Sequence, residues 1–310
     1  MNKSLFNSQK KLIIGLSGGP DSVYLLHQLV LMREQVELTL TAVHLNHEWR
    51  SDAHNDVQLC IQLCAQLNVP LIVKKASELN YTPAKTGSRE DEGRNLRRYV
   101  FETTLRELNA DAVVLAHHAD DQRETFFIRI IRGTTLTGLC AMKEIDGLYI
   151  RPLLHISKSE ILEHLNSNSI SYITDSSNSS DEYLRNRIRN HLMPALRQCD
   201  ERSENNLSNL IDSLQKTEDF LTTITYTTYV SVTTQDILDT QKFNALNPVL
   251  QKRVLTHWLI TNAPSFTLTE RFLDEIIRFL VSPRGGAHQL GTTWQIVKKQ
   301  HKAQIILKSL

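Results

Sequence analysis

Residues 11–32 read KLIIGLSGGPDSVYLLHQLVLM. An apolar run of strand character, 11–16, passes through SGGPDS at 17–22 into a helical pattern at 23–32, and that order builds an anion pocket. Gly18 and Gly19 allow positive φ and a close approach of backbone to a ligand, while Ser17 and Ser22 add hydroxyl donors. The free N–H groups of the helix's first turn face the glycine turn, and the macrodipole there favours an anion by about 0.3–1 kcal/mol, up to ~2 when partly buried. Phosphate is the natural guest. A bare carboxylate repels phosphate, so Asp21 is expected to bridge to it through Mg2+, as the candidate metal ligand.

Rival readings of the same turn are weaker. The GxxxxGK[ST] of a P-loop kinase or GTPase and the GxGxxG of a dinucleotide fold are absent. Gly15-Leu16-Ser17-Gly18-Gly19 also spells the G-x-S-x-G of a nucleophile elbow, with Ser17 attacking an ester. That machinery needs an oxyanion-hole loop from an earlier strand, and only about sixteen residues precede Ser17. A glycine turn holding no ligand is the plain alternative.

Around this turn the first half alternates in type. Strand-like runs at 11–16, 38–45, 71–74 and 112–117 are separated by helical patterns at 22–34, 53–67, 89–108 and 121–132. This spacing predicts an α/β fold, a parallel sheet with helices on both faces, whose ligands sit at the carboxyl ends of the strands. Residues 17–22, 44–50 and 117–122 then share one rim. Beyond residue 151 the pattern loosens into a helix capped near Ser157, a polar loop (TDSSNSSDEY), a helix at 183–196 with Pro194 near its end, and a polar connecting helix at 200–220. The expected domains are 1–216 and 217–310, the second smaller and mainly helical, with amphipathic helices at 247–260 and 267–281 and a terminal hairpin. The threonine-rich stretch 222–234 fits neither period clearly.

Composition bounds the class. A chain of 310 residues with 41% hydrophobic content has room for two cored domains. No window approaches twenty uninterrupted apolar residues and the start has no apolar export segment, which makes the cytoplasm the expected location and a membrane partner unexpected. Cys60 and Cys64 lie i, i+4, Cys140 and Cys199 stand alone, and no CxxC occurs; buried free thiols are expected. The net charge of +1 favours no nucleic acid, yet after Glu275 there is no Asp or Glu while Arg278, Arg284, Lys298, Lys299, Lys302 and Lys308 follow. Arg185, Arg187, Arg189 and Arg197 form a second cluster. Such clusters are either the footprint of a phosphate backbone or solvated faces.

Three further constellations can carry chemistry. HHADDQRET, 117–125, sets Asp120 and Asp121 at a helix start, where one carboxylate caps N–H groups and its neighbour can reach the pocket opposite Asp21. His44, His47, His117 and His118 lack the spacing of a helical zinc pair. Arg94 and Arg97 lie i, i+3 on one helix face, either as solvated charges beside Glu90 and Asp91 or as guanidinium forks aimed at phosphate. Arg185 and Arg189 share another helix face, with Arg187 elsewhere.

With these residues in view, SGGPDS resembles the pyrophosphatase loop of the N-type ATP pyrophosphatases, the PP-loop or adenine nucleotide alpha-hydrolase-like fold. HLNHEWRSDAHND, EGRNLR followed by Phe101, AHHADDQRETFFIRIIRGTTLTGLCAM, RPLL with Lys158 and Glu160, and DSSNSSDEYLRNRIR with Pro194 and Leu196 narrow the likeness. From near the N-terminus to about residue 196 the sequence is similar to the tRNA(Ile)-lysidine synthetases, and its length resembles their short form. It departs in two places. Arg97-Arg98 stands where the family has Arg-Tyr, with Tyr99 displaced by one, and Glu48 stands near a position commonly glycine.

The resemblance implies a ligase using ATP and Mg2+ on an isoleucine tRNA bearing a CAU anticodon, with free L-lysine as second substrate. The wobble cytidine's 2-oxo group is adenylated, then the lysine ε-amino group displaces AMP. It implies nucleotide contacts from Ser17, Gly18, Gly19, Pro20, Asp21, Ser22, His44 and His117. Asp21, Arg94, Asp120, Asp121 and Arg185 would be catalytic, Asp120 or Asp121 taking the amine's proton, and Arg97, Arg187, Arg189, Lys298 and Lys299 would contact tRNA. A tRNA 2-thiolation enzyme of the same superfamily is the nearest alternative, although the cysteines supply no cluster spacing. A non-catalytic nucleotide-binding module is the alternative from another class. The sequence leaves the oligomeric state open, a homodimer included.

Overall fold

In the computed structural model, residues 2–7, 10–81, 89–174, 181, 183–262 and 268–308 are described. They form two compact units, Met1–Leu214 and Gln215–Leu310.

The first unit is built on a six-stranded sheet. Its elements in chain order are β1 (Lys11–Gly15), α1 (Pro20–Arg33), β2 (Thr39–Asn46), α2 (Ala53–Gln66), β3 (Leu71–Lys75), α3 (Arg89–Leu108), β4 (Ala112–Val114), α4 (Ala119–Arg132), α5 (Leu136–Leu139), β5 (Ile145–Asp146), β6 (Tyr149–Ile150), α6 (Lys158–Ser167), α7 (Leu184–Arg187) and α8 (Met193–Cys199). The strand order is β3-β2-β1-β4-β6-β5. All neighbours pair in parallel except β5 with β6. The alternation of strand and helix thus produces the parallel sheet that the sequence predicts. The short β5–β6 pair was not legible in it, because two-residue strands carry no period.

Side chains alternate across this sheet. Leu12 and Ile14 pack with Val23, Leu26 and Leu29 of α1 and Ile161 and Leu165 of α6 on one face. Ile13, Val43 and Val113 pack with Val100, Phe101 and Leu105 of α3 on the other. Both faces are therefore dry, as βαβ crossovers require. The order reverses at β1: the chain leaves it for β2 and β3 on one side and returns as β4 on the other. Ile14 pairs with Val114, so the turns after β1 and β4 emerge side by side.

A capping box starts α6, Ser157 Oγ accepting the Glu160 N–H at 3.2 Å and Glu160 Oε2 accepting the Ser157 N–H at 2.8 Å. Between α7 and α8 lies a π turn, Ile188–Leu192. Pro194 cannot donate to Asn190 and its ring crowds that carbonyl, so the wider turn lets the helix continue.

The connecting helix, α9 (Ser203–Val232), is longer than the sequence suggests. It absorbs most of the threonine-rich stretch, whose β-branched residues look strand-like, because their hydroxyls donate back to helix carbonyls: Thr223 to Asp219, Thr225 to Leu221 and Thr227 to Thr223. The second unit continues with β7 (Thr233–Thr234), β8 (Ile237–Asp239), α10 (Thr240–Asn244), α11 (Pro248–Asn262), α12 (Glu270–Val281), β9 (Gly286–Leu290), β10 (Trp294–Lys299) and β11 (Lys302–Leu307). The terminal strands form more than a hairpin, an antiparallel sheet of order β7-β8-β11-β10-β9. Its core gathers Trp258, Phe243, Leu273, Ile276 and Ile296.

Candidate active site

The turn after β1 is held by its own serines. Ser22 Oγ accepts the Ser17 N–H at 3.1 Å, donates to the Gly19 carbonyl at 3.0 Å and lies 3.1 Å from Ser17 Oγ. Gly18 has φ +84°, and a Cβ there would meet Ile173 Cδ1 at 3.3 Å and Cys60 Sγ at 3.5 Å. Gly19 does not share that need: at φ −72° it is the extended N-cap of α1, with Pro20 opening the helix. The expectation of two positive-φ glycines is corrected to one. His44, buried below the turn, donates from Nδ1 to the Leu16 carbonyl at 2.9 Å, and burial lowers its pKa.

Beside the turn stand three carboxylates around one imidazole. His118 Nε2 lies 3.7 Å from Asp21 Oδ2 and 3.5 Å from Asp121 Oδ2, and Nδ1 lies 3.6 Å from Asp120 Oδ2. Burial lowers the His118 pKa, but the three carboxylates outweigh it and the net shift is upward. Asp121 caps α4 by accepting the His118 N–H at 3.0 Å. Asp120 instead accepts the Lys158 N–H at 2.8 Å and pairs with Arg123 at 2.9 Å. Burial works to raise the Asp120 carboxyl, yet His118, the Lys158 N–H and Arg123 hold it well below the usual range. Asp121 is also lowered, burial opposing and His118, His117 and Arg185 prevailing. Lys158 completes the group, its Nζ donating to Asp21 Oδ1 at 2.6 Å.

The resemblance read from the sequence implies Mg2+ here. Asp21 stands at the mouth of a donor-lined turn and faces Lys158 and His118. One carboxylate is enough for an ion that keeps waters and takes phosphate oxygens, so Asp21 fits Mg2+. No trio of His, Cys, Asp or Glu suited to a closed metal site occurs among the described residues. Cys60 and Cys64 are buried thiols, pushed by burial up to about 12 and about 11, in keeping with free protonated cysteines.

A second charged cluster adjoins the first. Glu124, only 2% exposed, is clasped by Arg189 at 2.6 and 3.0 Å and faced by Arg185 Nε at 3.5 Å. Burial raises its carboxyl, with Arg189 opposing. Arg185 also donates to Thr125 Oγ1 at 3.3 Å. Arg187 points elsewhere, donating to the Asp181 carbonyl at 3.1 Å. The serine and asparagine loop at 175–180 lies outside the described residues.

Arg94 is exposed on α3, and Arg97 Nε donates to the Gly93 carbonyl at 3.2 Å. Gly93 is where Trp49 rests: a Cβ would meet Trp49 Cη2 at 2.7 Å. Trp49 in turn stacks on His47 at 4.4 Å and lies under Arg89. Glu48, with φ +57°, occupies the left-handed region that favours glycine, and its Oε2 accepts the Ser77 N–H at 2.9 Å. Arg98 pairs with Glu102 at 2.7 Å, while Tyr99 stacks on Tyr81. His117 Nδ1 is buried and has no hydrogen-bond partner among the described residues, and burial pulls its pKa down to about 4.

Lys298 is a correction. Expected on tRNA, it is buried, its Nζ donating to the carbonyls of Phe279, Leu280 and Ser282 at the end of α12. An ammonium that caps three orphan carbonyls has no donor left for a phosphate. Lys299 is exposed on the strand beside it.

His118, Lys158 and Glu124 are the members that sequence reasoning did not select. HHADDQRET contained two of them, but only pairing with β1 reveals what they face. A separate polar cavity of about 420 Å3, lined by Arg123, Ser157, Glu204 and Asp212 among others, includes none of residues 17–22.

The PP-loop domain family matches residues 1–196. A protein named tRNA(Ile)-lysidine synthase from Streptococcus sanguinis is 30% identical over 98% of this chain and 67% of its own length. One so named from Petrotoga mobilis is 35% identical over 64% of each, and one from Bacillus subtilis 32% identical over 82% of this chain and 56% of its own. The chain thus spans little more than half to two thirds of these relatives. Among solved structures, the U34-tRNA thiolase NcsA from Methanococcus maripaludis, with its [4Fe-4S] cluster, superposes with TM-score 0.59 at 17% identity over 69% of this chain and 74% of that one. That likeness is one of fold.

Proposed function

Because the chain belongs to the tRNA(Ile)-lysidine synthases, a family of PP-loop proteins, we propose that it is an ATP-dependent ligase that makes lysidine. Its substrates on this reading are ATP, free L-lysine and an isoleucine tRNA with a CAU anticodon, in the cytoplasm; no helix among the described residues is long and apolar enough to cross a membrane. One observation carries the reading: the glycine turn that opens α1 lies directly beside a group of carboxylates that can handle an amine.

In the first step the main-chain N–H groups of the turn, with the Ser17 hydroxyl, hold the two outer phosphates while the 2-oxo group of the wobble cytidine attacks the innermost phosphorus. Bound Mg2+ at Asp21 would supply neutralising charge to the leaving pyrophosphate. Arg94 supplies preorganised positive charge, and His44 and His117 line the nucleotide's side of the rim.

In the second step an amine must be made nucleophilic. A free lysine with pKa ~10.4 is charged at pH 7, and its neutral form costs about 4.6 kcal/mol. Both Asp120 oxygens are engaged with Lys158 and Arg123, whereas Asp121 Oδ1 faces Arg189 at a looser 3.8 Å. Asp121 therefore orients the ammonium. It is then also the group placed to take the proton, while Glu124, both of whose oxygens Arg189 engages, holds Arg189 and Arg185 beside it. Arg97, Arg187 and Lys299 would contact the tRNA backbone.

A 2-thiolation chemistry is disfavoured by Cys60, Cys64, Cys140 and Cys199, whose spacing in the sequence suits no cluster. The test is incubation with ATP, labelled lysine and CAU-anticodon tRNA, followed by nucleoside analysis. Labelled lysidine with AMP and pyrophosphate is expected; ADP and orthophosphate, or ATP binding without turnover, defeats the reading.

A further inference from the structure

Lys158 joins two rim carboxylates that come from different helices. Its main chain is fixed: it is the first residue of α6 after the Ser157 cap, and its N–H donates to Asp120 Oδ2 at 2.8 Å. Its side chain is a flexible stem, 34% exposed, whose ammonium donates to Asp21 Oδ1 at 2.6 Å. The other Asp21 oxygen faces His118 Nε2 at 3.7 Å. The carboxylate is thus matched with positive charge, and any cation reaching Oδ1 must displace the ammonium.

We propose that Lys158 keeps the divalent cation's place on Asp21 until the nucleotide arrives, then turns to bind a phosphate oxygen. The inference rests on the reading of residues 17–22 as an ATP site and names a phosphate-binding residue for it. An ion pair this exposed is weak and easily exchanged. A triphosphate brings several negative charges to the same spot, and lysine, a compact charge on a long stem, can follow them where a rigid fork could not. Metal would then bind Asp21 more tightly with nucleotide than without it, because Lys158 competes for the carboxylate otherwise and leaves when phosphate offers a better partner.

The test uses the full chain and Mn2+ as the probe, its free concentration read by electron paramagnetic resonance without nucleotide, with Mg·ATP affinity read by calorimetry. Lys158→Met retains the main-chain bond to Asp120. It should bind Mn2+ about fivefold more tightly than the unaltered protein. It should bind Mg·ATP about tenfold more weakly. Lys158→Gln should behave alike, and adding Asp21→Asn should abolish the gain in Mn2+ affinity. Unchanged Mn2+ affinity in both variants, or a gain that survives Asp21→Asn, overturns the proposal, as does joint loss of Mn2+ and ATP binding with a lowered melting temperature. If the unaltered chain binds Mg·ATP and the variants match it, this inference falls alone; if it binds none, the nucleotide reading falls too.

Discussion

His47 and Asp121 have chemistry set by their neighbours. Burial, with Arg97 and His44 adding to it, lowers the His47 pKa to about 4, so the folded ring stays neutral where an unfolded one takes a proton. Between the unfolded value near 6.5 and about 4 the unfolded state binds more protons, so this residue's contribution to stability is present at neutral pH and lost as pH falls through that window. The melting temperature should drop from pH 6.5 to 4, and His47→Asn should flatten that drop; an unaltered slope would remove His47 as its source. Asp121 and Glu124 make a sharper pair. Asp121→Asn should retain tRNA-dependent pyrophosphate release while lowering lysine transfer by about 100-fold, as expected for loss of an orienting and proton-accepting group, and Glu124→Gln should do the same by loosening Arg189 and Arg185 beside it. Equal loss of both steps in single-turnover assays would return these carboxylates to a structural role.

The β1–α1 turn and the end of α12 show how an element depends on one unusual residue. Gly18→Ala places a Cβ at φ +84° against Ile173, costing about 1–2 kcal/mol and shifting the N–H groups of the turn. ATP affinity measured by calorimetry should fall with the melting temperature, whereas Gly19→Ala, at ordinary φ with only Ser17 Oγ near, should be milder. At α12, Lys298→Met strands carbonyls of Phe279, Leu280 and Ser282, and urea unfolding should register about 2–3 kcal/mol of lost stability. Lys299→Met, exposed one residue on, should stay within about 0.5 kcal/mol. The two lysines are indistinguishable in a string of letters. What separates them is strand alternation, which turns one toward the end of a helix and the other toward water.

At the scale of the whole molecule, the proposed tRNA contacts of the second unit are narrower than its basic composition suggests. Lys299 and Lys302 are exposed and face each other in register across β10 and β11, so Lys299→Glu with Lys302→Glu should weaken tRNA binding and lower the salt slope by about two, one per lost phosphate contact. An unchanged slope in filter binding would make this hairpin structural. Residues 11–32 were enough to determine the glycine turn between β1 and α1, and the alternating runs after them the parallel sheet, because period and glycine placement act over a few residues and need no distant partner. The tertiary structure alone decided that Asp21, His118, Asp120 and Lys158 form one cluster, that Glu124 is clasped by arginines 61 and 65 residues further on, and that Lys298 is a cap. The physical reason is that charge, burial and proton affinity belong to a position's surroundings, and the pairing of Ile14 with Val114 supplies surroundings that neither segment encodes by itself.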